Sequence, residues 1–120
     1  MVPSFEPNEP VAQVDVAVEH LPAATVVRVA GELDHLTAPA FEAAALPAAR
    51  QCAGRLVIDL SAVSFLASAG IAVVLAAGAA APGRVRVVVG SGFTRRPLEL
   101  TGAGEIVHLC TTREEALAAD

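Results

Sequence analysis

The chain has 120 residues, of which 54% are hydrophobic, and a formal net charge of −5 at pH 7. This length fits one ordinary domain, and the apolar fraction is high enough for a packed core, which excludes a disordered chain. The acidic balance, the absence of Trp and Tyr and the scarcity of Phe exclude a typical nucleic-acid partner, because phosphates bind basic surfaces and bases stack on aromatic rings.

The first segment predicts a tail followed by two strands. Residues 1–10, MVPSFEPNEP, lack the basic and apolar regions of a secretory signal, and their prolines and acids predict a flexible tail of a cytoplasmic protein. The domain is then expected to span residues 11–120. Valines at alternate positions predict a strand from Val11 to Val18, and a second strand is predicted from Thr25 to Ala30. The turn between them predicts an antiparallel hairpin.

The next segment predicts a helix and then a buried strand. In DHLTAPAFEAAALPAARQCAG, Thr37 is the expected N-cap and Gly54 the stop signal. Pro47 removes a hydrogen bond inside this helix, so we expect a kink or an early end near Leu46. The apolar run RLVIDL, Arg55 to Leu60, predicts a strand that is covered on both faces.

Residues 61–83, SAVSFLASAGIAVVLAAGAAAPG, contain no charge and are long enough to span a membrane. We favour a helix packed on a sheet, because the stretch opens with serines, contains glycines and owes its apolar character to alanine, which drives membrane insertion weakly. Ser68 is expected to cap this helix, which would run from about Ala69 to Ala80. Pro82 and Gly83 are the expected stop signals.

The C-terminal segment predicts further alternation of strands and helices. RVRVVVG predicts a buried strand, and FTRRPLELTG predicts a short helix that Thr94 caps. EIVHL predicts a last strand, and TTREEALAA predicts a helix in which Thr112 and Glu115 form a capping box. The resulting order, ββαβαβαβα, predicts an α/β fold: one domain with a mixed, mostly parallel sheet that begins with an antiparallel hairpin and is packed by about four helices.

No catalytic motif is visible in this sequence. The glycines complete neither a P-loop nor a dinucleotide-binding motif, and the histidines fit no hydrolase pattern. Cys52 and Cys110 lie far apart and match no metal-binding spacing, so we expect two reduced thiols and neither a metal nor a cofactor. The prediction is a non-enzymatic protein. A phosphocarrier or hydrolase that uses His35 or His108 is the catalytic alternative.

Two polar segments, GELDHLTAP and DLSAVSFLASAG, each follow a predicted strand and precede a predicted helix. The carboxyl ends of parallel strands gather at one edge of a sheet. We therefore expect the two segments to form one surface there.

Three blocks of the sequence resemble, in order and spacing, the STAS family of anti-sigma factor antagonists: VVRVAGELDHLTAPAF, LVIDLSAVSFLASAGIAVVL and LELTGAGEIVHLCTTREEALAA. The resemblance covers nearly the whole chain after the first ten residues. It implies a protein that binds an anti-sigma factor of the serine-kinase type and thereby releases a sigma factor. It also implies that phosphorylation of a serine at the start of the second helix breaks this complex, and that a serine phosphatase restores it.

By position in these blocks, Ser68 matches the phosphorylated serine, Gly70 its companion glycine, and Glu32 and Asp34 the acidic loop beside it. The predicted partner-binding residues are Glu32, Asp34, His35, Ser61, Ser64, Leu66, Ala67, Ser68, Ala69 and Gly70. The chain departs from the family pattern on both sides of Ser68, where alanine replaces the usual preceding aspartate and the common following hydroxyl residue. These departures favour an alternative, a non-switching STAS subunit that docks on a transporter ATPase or another multi-protein complex.

Overall fold

The computed structural model describes residues 14–90 and 92–118. Its elements are β1 (Val14–His20), β2 (Ala24–Leu33), α1 (Ala38–Gln51), β3 (Arg55–Leu66), α2 (Ser68–Ala80), β4 (Val85–Val88), α3 (Gly92–Leu100), a 3₁₀ turn (Ala103–Glu105), β5 (His108–Cys110) and α4 (Arg113–Leu117). This order confirms the predicted ββαβαβαβα succession. The predicted tail, 1–10, and the beginning of the predicted first strand, 11–13, lie outside the described residues.

The strands form one mixed sheet in the order β1-β2-β3-β4-β5. β1 runs antiparallel to β2, and the turn between them is closed by a hydrogen bond from the Leu21 N–H to the Ala24 carbonyl at 2.8 Å. The other neighbouring strands are parallel. Each parallel connection carries a helix, as the alternation in the sequence predicts.

The hydrophobic core lies on both faces of the sheet. On one face, Val27 of β2 and Ile58 of β3 are fully buried beneath α1, α2 and α3, where Phe41 is the largest buried side chain. On the other face, a smaller cluster that includes Val26 is covered by α4 through Ala116. The central strands are therefore buried on both faces, as the unbroken apolar run of β3 predicts.

The first helix is longer than predicted. α1 continues through Pro47 to Gln51, whereas the sequence predicts a kink or an end near Leu46. Ala45 and Ala49 lie on either side of the proline and are fully buried in the core, while Pro47 itself is exposed. Packing of this alanine face offsets the hydrogen bond that the proline removes.

The strands β2 and β3 also extend further than predicted. β2 ends at Leu33 rather than Ala30, and β3 ends at Leu66 rather than Leu60. Their pairing contains two register shifts, each of which places one extra residue on β3. Buried positions beyond Leu60 therefore recur at every third residue, at Val63 and Leu66, and not at every second one. The sequence predicts a loop here because the apolar run ends at Leu60 and is followed by Ser61.

The C-terminal elements differ from the predictions in their boundaries. α3 begins at Gly92, and Thr94 is buried inside the helix instead of capping it. β5 contains only residues 108–110, because the chain before it forms the 3₁₀ turn. The predicted caps of α4 are present: Glu115 N–H donates to Thr112 Oγ1 at 3.1 Å, and the Glu115 carboxylate accepts from Thr111 N–H at 2.9 Å. The second bond joins one residue earlier than in a standard capping box.

The uncharged stretch 61–83 is divided among the end of β3, α2 and the turn after α2. Within α2, Ile71, Val74 and Gly78 are buried, and Gly78 lies close to Ile106 and Val107. In the part of the chain that the structure describes, no helix has the length and apolar character needed to cross a membrane.

Candidate functional site

The carboxyl ends of β2 and β3 lie side by side. Where both strands end, the Ala67 N–H donates to the Leu33 carbonyl at 2.8 Å. Residues 31–37 therefore adjoin residues 61–70 at the carboxyl ends of these two strands. These two segments together are called the strand-end surface below. This confirms that the two polar segments of the sequence meet, as the parallel topology requires.

Ser68 is the first residue of α2 and is exposed. The N-cap is Ala67, which has no polar side chain, so the prediction that Ser68 caps the helix is wrong. The reason is that β3 continues almost to the helix, and the Ala67 carbonyl already accepts from the N–H groups of Gly70 and Ile71, at 3.0 and 3.2 Å. The Ser68 hydroxyl thus lies at the positive end of the helix dipole without serving as the cap.

Gly70 allows α2 to pack closely on both strand ends. A Cβ atom at this position would lie 2.9 Å from Leu66 Cδ1 and 3.0 Å from Leu33 Cβ. Leu66 and Gly70 are themselves buried, so these two predicted partner-binding residues support the strand-end surface from beneath.

We expect Gly70→Val to lower the free energy of unfolding by about 1–3 kcal/mol, the typical cost of overpacking a core. The added side chain must displace Leu33 or Leu66, and urea-induced unfolding measures the effect. Gly92→Val is the matched control, because a Cβ at Gly92 would meet no described atom within 4 Å and Gly92 also lies in the first turn of a helix. Equal stability of the two variants would contradict the close packing at Gly70.

Asp34 holds the turn between β2 and α1. Its carboxylate accepts from Leu36 N–H at 2.9 Å and from Thr37 N–H at 3.1 Å. The hydrogen bond from Thr37 N–H is the main cause that lowers the pKa of Asp34, so the carboxylate is ionised at neutral pH. Thr37 Oγ1 accepts from Asp34 N–H at 2.9 Å and donates to the Glu32 carbonyl at 2.6 Å. Thr37 occupies the predicted N-cap position of α1. Its side chain makes hydrogen bonds within the turn, however, and not to the N–H groups of the helix.

Most of the other predicted partner-binding residues are accessible on the strand-end surface. Glu32, His35 and Ser64 are exposed, and Ala67 and Ala69 are half-buried. The Ser64 hydroxyl donates to the Gly31 carbonyl at 3.4 Å, which links β3 to β2 at this edge.

Ser61 belongs to a different set of contacts. Its N–H and hydroxyl both donate to Asp59 Oδ1, at 3.0 and 2.6 Å. Asp59 is buried and accepts from Arg113 Nε at 3.4 Å, and Arg113 also contacts Glu19 at 3.0 Å. Burial opposes the charge on Arg113, but its hydrogen bonds to Glu19 and Asp59 raise its pKa. Ser61 thus holds the Asp59 carboxylate, which in turn binds Arg113 of α4.

Two exposed apolar side chains of the strand-end surface were not singled out from the sequence. Leu36 in the turn is 65% exposed, and Phe65 near the end of β3 is 52% exposed. Phe65 pairs with Glu32 directly after the second register shift, and this β-bulge accounts for a phenylalanine facing solvent within a strand. Only a prediction of the bulge would have revealed Phe65.

A groove of about 490 Å³ runs between α1 and α2 beside Ser68. Its apolar lining is mostly alanine and includes Ala69, the residue after Ser68. His35 and Glu42 are its polar members. His108, the other histidine of the catalytic alternative, lies on β5, three strands away from β2.

Comparison with known proteins defines the class to which this fold and surface belong. The model of a family described as Mlab, STAS domain, matches residues 16–109. The chain belongs to the STAS domain family, which confirms the resemblance seen in the sequence.

Particular relatives are similar over most of the chain. The anti-sigma-F factor antagonist RsfB of Mycobacterium tuberculosis is 37% identical over 94 residues, which cover 77% of each chain. The crystal structure of an anti-sigma factor antagonist from Mycobacterium paratuberculosis has a TM-score of 0.82 at 37% identity and covers 90% of this chain and 96% of its own. The anti-sigma factor antagonist SpoIIAA is also similar at 26% identity. Its unphosphorylated form has a TM-score of 0.69 and covers 86% of this chain and 93% of its own. The phosphorylated form, from Bacillus, has a TM-score of 0.65 and covers 86% and 96%.

Proposed function

We propose that this protein is an anti-sigma factor antagonist, which binds an anti-sigma factor of the serine-kinase type and thereby releases a sigma factor. The observation that carries the proposal is the exposed Ser68 at the first residue of α2, in a chain whose relatives are anti-sigma factor antagonists. The protein acts as a binding module and not as an enzyme. The strand-end surface is the proposed binding site.

Phosphorylation of Ser68 is the proposed switch, and a serine phosphatase reverses it. Phosphoserine adds about 1.5 to 2 negative charges at neutral pH. At the N-terminus of a helix, free N–H groups and the dipole stabilise an anion by about 0.3–1 kcal/mol, so the fold accommodates the phosphate. A partner packed on this surface would have to bury or repel the new charge, at a cost of about 2–5 kcal/mol. The phosphate therefore acts on the complex and not on the fold.

The composition of the strand-end surface supports a protein partner. Leu36 and Phe65 supply exposed apolar area. Glu32, near the end of β2, and Asp34, in the turn that follows, add two carboxylates to the same surface. Aromatic side chains contribute strongly to protein interfaces, and charged groups around them set orientation and specificity. A complementary partner surface has an apolar pocket for Leu36 and Phe65.

Incubation with the candidate anti-sigma kinase and ATP is expected to add the mass of one acid-stable phosphate, and Ser68→Ala should abolish this gain. Ser64→Ala is the matched control, since Ser64 is another exposed serine of the strand-end surface and its variant should still be modified. Intact-mass spectrometry measures the gain. A phosphate that persists in Ser68→Ala, or an acid-labile phosphate on His35 or His108, would reject the proposed switch.

A second candidate function is a non-switching STAS subunit that docks on a transporter ATPase or another multi-protein complex. The alanines on both sides of Ser68 favour it, because they leave no acidic residue and no second hydroxyl beside the serine at the start of α2. Co-purification with a nucleotide-binding subunit, unchanged after incubation with ATP, would select this function over the switch.

A further inference from the structure

Three metal-ligating side chains converge where β5 meets α4. His108 and Cys110 are alternate residues of β5 and therefore lie on the same face of this strand. Glu115 reaches them from α4. One ligand atom of each of the three side chains lies within 4.8 Å of the ligand atoms of the other two.

We propose that His108, Cys110 and Glu115 bind one Zn²⁺ ion or a similar transition-metal ion, with a solvent molecule as the fourth ligand. Imidazole, thiolate and carboxylate are the donors that zinc uses in proteins. Tetrahedral bonds of about 2.0–2.3 Å separate donor atoms by about 3.5 Å, so distances of up to 4.8 Å have to shorten by about 1.3 Å at most. His108 and Glu115 are exposed, and rotation of their side chains supplies this movement.

Local hydrogen bonds hold the carboxylate beside β5. Thr111 N–H donates to Glu115 Oε1 at 2.9 Å, and Glu115 N–H donates to Thr112 Oγ1 at 3.1 Å. Bonds of this kind orient metal ligands and raise affinity. Cys110 is fully buried, so one side of the proposed site is dry and the other faces solvent. A bound ion would link α4 to β5, the last strand of the sheet.

The three donor types favour a transition-metal ion. Binding releases the thiol proton to solvent, because the thiolate is the form that ligates a metal ion. Two of the three donors are a thiolate and an imidazole, so most of the affinity comes from bonds to sulfur and nitrogen. Zn²⁺ and Co²⁺ form such bonds, whereas Mg²⁺ and Ca²⁺ prefer oxygen ligands.

Titration of the full chain with Co²⁺, in a non-chelating reductant, is expected to give a sulfur-to-cobalt charge-transfer band that saturates at one ion per chain. Cys110→Ala should abolish the band. His108→Ala and Glu115→Gln should weaken binding by about tenfold or more, since even outer partners of a ligand contribute about 10- to 100-fold. Glu115→Gln keeps a side-chain acceptor for the Thr111 N–H, so it tests the ligand and not the cap. Cys52→Ala, which removes the other free thiol, and His20→Ala are the matched controls and should bind as the wild type does.

Zn²⁺ is expected to raise the midpoint of thermal unfolding of the wild type but not of the Cys110→Ala variant, because a ligand that binds only the folded state stabilises it. Absence of the band in the wild type would overturn the proposal, as would an equal band in Cys110→Ala. The exposed His108 and Glu115 can be replaced without disturbing the core, so these variants test the site even if Cys110→Ala does not fold. Unchanged affinity in both would also overturn it.

Discussion

Ser68→Asp is expected to weaken binding of the anti-sigma partner by about 2–5 kcal/mol, which is roughly 30-fold or more in Kd, without unfolding the protein. Ser68 is exposed at the first residue of α2, where the helix dipole tolerates a carboxylate. The free energy of unfolding should therefore stay within about 1 kcal/mol of the wild type. Isothermal titration calorimetry measures the binding, and urea-induced unfolding measures the stability.

Two variants separate charge from size and from position. Ser68→Asn has the shape of Ser68→Asp without its charge and should retain most of the affinity. Ala43→Asp adds the same charge to the exposed part of α1, outside the strand-end surface, and should bind as the wild type does. If Ser68→Asp binds the partner as tightly as Ser68→Asn, an electrostatic switch at this serine is rejected.

Phe65→Ala is expected to weaken the same complex by about 2–4 kcal/mol, the range of an aromatic anchor in a protein interface. The ring is 52% exposed, so its loss should cost the free protein only about 1 kcal/mol of unfolding free energy. Surface plasmon resonance with immobilised partner measures the change in affinity. The effect should appear mainly as faster dissociation.

Leu100→Ala is the control for this truncation. Leu100 is 74% exposed at the end of α3, outside the strand-end surface, and its loss should leave affinity unchanged. Leu36→Ala, in the turn beside β2, should weaken binding in the same direction as Phe65→Ala. Equal binding by Phe65→Ala and Leu100→Ala would show that the partner docks elsewhere on the molecule.

The proposed metal cluster shows what spacing in a sequence leaves out. His108, Cys110 and Glu115 match no standard metal-binding spacing, and the sequence therefore predicts no metal site. Their approach depends on two separate elements, because β5 aligns the first two side chains and the cap of α4 turns the third toward them. A ligand set of this kind becomes apparent only when the packing of α4 on β5 is known.

The sequence by itself determined the order of the elements, the parallel sheet with its leading hairpin, and the meeting of the two polar segments. These features follow from local signals: alternation of valines, stop signals such as Gly83 after α2, and the caps at Thr112, each of which acts within a few neighbouring residues. The approach of the two segments then follows from topology alone, since parallel strands place their carboxyl ends at one edge.

Only the tertiary structure decided the details of the site. Two bulges against β2 extend β3 to Leu66, turn Phe65 to solvent and leave Ser68 inside the helix with Ala67 as the cap. Packing of the alanine face on the sheet likewise carries α1 through Pro47. Pairing between strands and contact between layers involve residues far apart in the chain. Summed over an element, these contacts outweigh the local preference of single residues for helix or strand, which is about 1 kcal/mol for most residues and about 3 kcal/mol for proline in a helix. The positions of Ser68 in α2 and of Phe65 at the bulge could therefore not be predicted from local sequence signals.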